Sequence, residues 1–152
     1  MTSCINRVKG DKKGNPAASV DSYRSTGNCG IVAVLYGRLL PDAGPDDQDI
    51  LKEAAFVSSA LAGLGYKPVW FEVCPDTSQL ERELLKLRPA LAFNLVDAID
   101  GREEYVTVAP DMLDQLGLPY SGAPAVAMRL ASNKLEAKEI MRRAGIPTPP
   151  GP

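Results

Sequence analysis

The chain has 152 residues, of which 45% are hydrophobic and 24% charged, with a formal net charge of −2. That length supports one domain with its own core, and the near-neutral balance gives no reason to expect nucleic acid or an anionic membrane as partner. Histidine is absent and the three cysteines (Cys4, Cys29, Cys74) are scattered. This excludes Ser-His-Asp and Cys-His catalysis and His-bound metal within the span, and it favours a reducing, cytoplasmic setting over a disulfide framework.

Met1 to Gly30 is polar and aperiodic, which predicts a disordered or leader segment without the apolar core of a signal peptide. No apolar run approaches the roughly 18 residues of a membrane helix. Ile31 to Tyr36 is a continuous β-branched apolar run, the pattern of a strand buried on both faces, and Gly37 ends it. Ile50, Ala54, Val57, Leu61 and Leu64 then recur at helical spacing, so a helix is predicted from about Asp46 to Leu64. Lys67 to Val73 reads as a second strand. Asp76 with Gln79 signals a helix start, Leu80, Leu84 and Leu87 face inward, and Pro89 closes the helix. Ala90 to Val96 reads as a third strand, Val108 to Leu116 as a third helix, and Leu118 to Ser121 as a fourth strand.

Strands alternating with helices at this spacing predict an α/β fold: a Rossmann-like parallel sheet with helices on both faces. Ligands approach such sheets at the carboxyl ends of the strands, so the loops that begin at Gly37, Val96 and Ser121 are the ones to watch. The first of them reads Gly37-Arg38-Leu39-Leu40-Pro41-Asp42 and lacks the G-x-G-x-x-G that lets a pyrophosphate approach. A phosphoacceptor domain would need an aspartate where Asn94 stands.

The last stretch is the most informative. Pro124 opens a short helix, Ser132 offers an N-cap for a helix over Asn133 to Ala144, and Gly145 with Pro147 ends it. Leu135, Ala137, Ile140, Met141 and Ala144 are placed to pack inward. Lys134, Lys138 and Arg142 share one face, which periodicity alone reads as solvated.

Taken together, Gly117-Leu118-Pro119-Tyr120-Ser121-Gly122, Asn133-Lys134, Lys138 and Gly145-Ile146-Pro147-Thr148-Pro149 follow the order and spacing of a family signature. From about Ile31 to Gly151 the chain resembles the N-terminal (pre-ATP-grasp) domain of D-alanine–D-alanine ligases, in the ATP-grasp superfamily. Phe93-Asn94-Leu95-Val96-Asp97 and Gly101-Arg102-Glu103-Glu104 are similar to a second family segment. They depart from it at Asp97, where the ligases carry a histidine, and in the Gly-Glu-Asp-Gly end. This is closer to a divergent branch whose substrates often are not D-alanine.

The resemblance implies residues 31–122 as the pre-ATP-grasp domain and 123–152 as a helical link into an ATP-grasp domain beyond the span. It implies a carboxylate–amine ligase that uses ATP and magnesium, acts through an acyl phosphate on an amino acid or small peptide-like substrate, and forms a homodimer. The magnesium-binding carboxylates would lie outside the span, and the span alone would be inactive. Lys134 would reach a nucleotide phosphate, with Lys138 and Arg142 as further cations. Asp46 or Asp47 would hold a substrate ammonium, although the family's S-x-E segment is missing and both suit a helix start. Asp97 and Glu103 are either solvated loop charges or carboxylates for a substrate amine. The rival reading is a stand-alone, non-catalytic Rossmann-like binding or dimerisation module. Loss of the histidine favours the module; Lys134 and the exit motif favour the ligase.

Overall fold

A computed structural model describes residues 30–150, with the side chains of Asp46 and Asp47 outside that description. Of the expected leader, residues 1–30, all but Gly30 also lie outside it. The first apolar run forms β1 (Ile31–Gly37), and Val32 to Leu35 have no exposed surface. A strand is covered this completely only at the centre of a sheet with both faces packed. β1 pairs in parallel with β2 (Lys67–Val73), Ile31 opposite Lys67, and with β3 (Leu91–Asn94), Val32 opposite Leu91. The order is β2-β1-β3.

Helix α1 (Pro45–Gly63) connects β1 to β2, and α2 (Ser78–Leu87) carries the chain from β2 back past β1 to β3. Right-handed crossovers taken in opposite directions place their helices on opposite faces of a sheet. The packing agrees. On one face, Trp70 donates its indole N–H to Ser58 of α1 and meets Tyr36 edge-on, ring centres 6.1 Å apart. On the other face, Ala33, Leu35, Phe71, Val73 and Ala92 form one core with Leu80 and Leu84 of α2 and with Ala109, Met112 and Leu113 of α3 (Val108–Leu116). The expected α/β fold with helices on both faces is present.

The expected fourth strand is not. Leu118 to Ser121 makes a single parallel bridge, Ala92 with Tyr120. Ala92 donates to the Pro119 carbonyl (2.8 Å) and accepts from Ser121 N–H (3.0 Å). The next rung is lost because Asn94 N–H donates to the Ser121 hydroxyl instead (3.0 Å), while Gly122, at φ +102°, turns the chain away. β3 is also shorter than predicted. The Asn94 side chain accepts from Val96 N–H (3.2 Å), and this turn diverts the backbone from the sheet.

Two helices follow, α4 (Ala125–Ser132) and α5 (Lys134–Arg143). The N-cap of α5 is Asn133, not Ser132. Asn133 has left the helical conformation, and its side-chain oxygen accepts from Leu135 and Glu136 N–H. Ser132 is still the last residue of α4 and spends its hydroxyl on the Met128 carbonyl (2.8 Å). The exit is as the sequence predicts. Gly145 at φ +73° donates to Arg142, and Ile146 donates to Met141, closing the helix in a Schellman arrangement. The inward face is not as expected: α5 buries no residue, and Leu135 (61%) and Ile140 (42%) are exposed.

Candidate functional site

β1 and β3 are neighbours, yet the chain leaves them toward opposite faces, so a crevice opens above their carboxyl ends. That reversal is where open α/β sheets bind ligands. The crevice has a volume of roughly 620 Å³ and is lined by Arg38, Asp42, Asp49, Glu53 and Asp97 among others. Its floor requires glycine at position 37. A Cβ there would lie 1.7 Å from the Ala98 carbonyl oxygen, so the segment after β3 rests directly on the end of β1.

That segment is a two-residue hairpin. Ile99 and Arg102 exchange both backbone hydrogen bonds (3.3 and 3.0 Å), and Asp100 (φ +55°) and Gly101 (φ +68°) both take the left-handed conformation. This is the type I′ turn, for which Asp-Gly is a preferred pair. Fully buried Ile99 anchors it in the core. Arg38 grips its tip: Nε donates to Asp100 Oδ1 (2.6 Å), Nη2 to Oδ2 (2.5 Å), and the Arg38 carbonyl accepts from Asp100 N–H (2.9 Å). The guanidinium holds the Asp100 carboxyl below its ordinary range. Nearby Glu72 is pushed the other way by burial, against the pull of Arg38. Burial, with the charges of Glu72 and Cys74 beside it, raises the Tyr36 phenol to about 12.

A second cleft of about 750 Å³ lies between the short 3-10 turn Glu103–Tyr105, the start of α3 and the corner joining α4 to α5. Glu103, Glu104, Arg129, Asn133 and Lys134 line it. Arg129 spans to both oxygens of Asp111 (2.8 and 2.7 Å) and so fixes α4 to α3.

The predicted residues therefore separate. Asp97 lines the first cleft and accepts from the next residue's N–H (2.7 Å). Glu103 and Lys134, 31 positions apart, share the second. Lys138 is half-buried on α5 and lines neither. Asp46 and Asp47 fall in the first turn of α1, and their side chains lie outside the described residues. Sequence reasoning missed Arg38 and Asp100. The Asp-Gly pair after buried Ile99 was a usable hairpin signal, but nothing local points to Arg38, 62 positions away. Among the described residues, no group of three or more Asp, Glu or Cys is placed to hold a metal ion.

No family model matches the chain. The D-alanine–D-alanine ligase of Methylobacterium radiotolerans is 33% identical over 120 residues, which is 79% of this chain and 36% of that protein. This chain is related to the D-alanine–D-alanine ligases. The likeness is to an N-terminal ligase domain, and the chain spans about a third of the length of the curated ligases it matches. The ligase of Moorella thermoacetica is 31% identical over 120 residues, 78% of this chain and 35% of that protein. The crystal structure of the D-alanine–D-alanine ligase from Bacillus anthracis matches with a TM-score of 0.56, covering 80% of this chain and 37% of that one. At 20% identity, that ligase shares the fold.

Proposed function

We propose that this chain is the N-terminal, substrate-binding portion of an ATP-dependent carboxylate–amine ligase similar to D-alanine–D-alanine ligase. Residues 31–122 form its pre-ATP-grasp domain, and 123–152 link into an ATP-grasp domain. The observation that carries the reading is the 33% identity over 120 residues to a protein of that name. The chemistry of the clefts supports it. The first presents four carboxylates against one guanidinium already shared with Asp100, which suits a substrate ammonium. Asp97 stands there, with Asp46 and Asp47 proposed beside it. The second brings Lys134 and Arg129 together, and Lys134 offers the mobile point charge that a nucleotide phosphate requires. Glu103 borders the same space as a carboxylate for the attacking amine, and Lys138 and Arg142 add positive charge along α5.

ATP would convert a substrate carboxylate to an acyl phosphate, an amine would attack it, and phosphate would leave. Carboxylates for magnesium would come from the remainder of a longer protein. Such a ligase would act in the cytoplasm on an amino acid or small peptide-like substrate. Among the described residues, no helix is long and apolar enough to cross a membrane.

The test is ATP-dependent phosphate release by the longest natural form, with magnesium and a panel of D- and L-amino acids. Lys134→Ala should lower turnover by about 10²-fold or more, as loss of a charge-stabilising group does. The 152-residue span alone should show none. Absence of ATP binding, with no effect of Lys134→Ala, would leave the non-catalytic module. Phe56, on the outer side of α1, is 75% exposed and offers an apolar contact surface. A homodimer through this face is proposed in either case, and sedimentation of Phe56→Glu against the wild type would test it.

A further inference from the structure

The pairing of Arg38 with Asp100 joins the two walls of the first cleft. Arg38 belongs to the segment leaving β1 and Asp100 to the hairpin after β3, so their contact crosses the point where the chain's two paths diverge. The backbone spans it as well: Asp100 N–H donates to the Arg38 carbonyl, and the Ala98 carbonyl lies over Gly37. Both side chains are partly shielded, with exposures of 34% and 18%, and a two-pronged guanidinium–carboxylate bond has a fixed planar geometry that a lysine could not reproduce.

We propose that Arg38 and Asp100 form a latch. Paired, they hold the hairpin of residues 99–102 against the β1 exit and set the width of the cleft. Unpaired, the hairpin pivots on buried Ile99 and the cleft opens. The device would govern which amine-bearing substrates enter; that consequence rests on reading the cleft as the amino-acid site, whereas the latch itself does not.

Asp100→Asn is the discriminating variant. Asparagine accepts the left-handed conformation, and Asn-Gly favours the same type I′ turn, so the hairpin is retained while the charge is lost. Amide hydrogen exchange on the 152-residue chain is the measurement, and it needs no ligand. With Asp100→Asn, and with Arg38→Gln, the amide of residue 100, bonded across to the Arg38 carbonyl, should exchange about tenfold faster, whereas the amide of residue 102, bonded within the hairpin to Ile99, should keep its protection. Those of Arg88 and Ala90, at the opposite end of the sheet and bonded to Leu84 and Ile31, should stay unchanged. Unaltered protection at position 100 in Asp100→Asn would overturn the latch. So would equal acceleration at all four amides, which would mark the pair as a contributor to global stability. Either result leaves the ligase reading standing, since that reading is judged by phosphate release.

Discussion

The sheet body and the terminal helix pair are built from similar residues and reach opposite ends of the burial scale. In β1, Val32 to Leu35 are wholly enclosed; in α5, no residue is buried and Leu135 is 61% exposed. Apolar spacing makes a helix amphipathic, but only a neighbour buries the stripe. The body supplies its own neighbours on both faces. The helix pair has α3 on one side, joined through the Arg129–Asp111 contact, and solvent on much of the other. Stability should therefore reside in the body, while α5 holds Lys134 at the rim of the second cleft through its caps, next to α4 and its ion pair to α3.

Removing a buried branched side chain should have the largest effect. Leu35→Ala should cost about 2–5 kcal/mol in urea unfolding, through lost transfer energy plus a cavity. Leu135→Ala should fall within about 0.5 kcal/mol of wild type. Equal costs at the two leucines would break the comparison. Gly37→Ala comes next, at about 1–3 kcal/mol, because the added methyl meets the Ala98 backbone and not a side chain that could move aside. Asn133→Ala removes the acceptor for two N–H groups at the start of α5. A cap of this kind is worth about 1 kcal/mol. Its loss should appear as faster exchange confined to the first turn of α5, with β1 protection unchanged.

The fold was legible wherever side-chain periodicity and backbone demand agreed. β2 spans Lys67–Val73 as read, α3 spans Val108–Leu116 as read, and Gly145 terminates α5 as its position requires. The misreadings of strand and cap share one cause: a polar side chain that captures a backbone group. Ser121 intercepts Asn94 N–H and removes the fourth strand, Asn94 itself shortens β3, and Asn133 takes the cap from Ser132. Apolar patterning is blind to such substitutions. The second cleft was half legible, since Glu103 and Lys134 were each singled out and the structure brings them together. Arg38 with Asp100 could not be read, because a pair 62 positions apart leaves no local pattern.

The pH dependence sharpens the comparison within the body itself, where two carboxyls at the same end of the sheet have opposite shifts. Asp100 is held below its ordinary range by Arg38. Its contribution to stability is present above the unfolded carboxylate range and is lost as pH falls through the depressed value. Glu72 is raised by burial despite Arg38. The fold favours its protonated form, so the stabilisation is full below the unfolded value and disappears as pH rises through the raised one. Glu72→Gln should therefore flatten the loss of stability on moving from mildly acidic to neutral pH. Asp100→Asn should flatten the loss on moving from mildly acidic to strongly acidic pH. Both effects should be small, because each group keeps contact with water, and they should show as opposite changes of slope in denaturant midpoint against pH. If both variants altered the same limb, Arg38 would be shared equally between the two carboxylates, and the latch would have two tips instead of one.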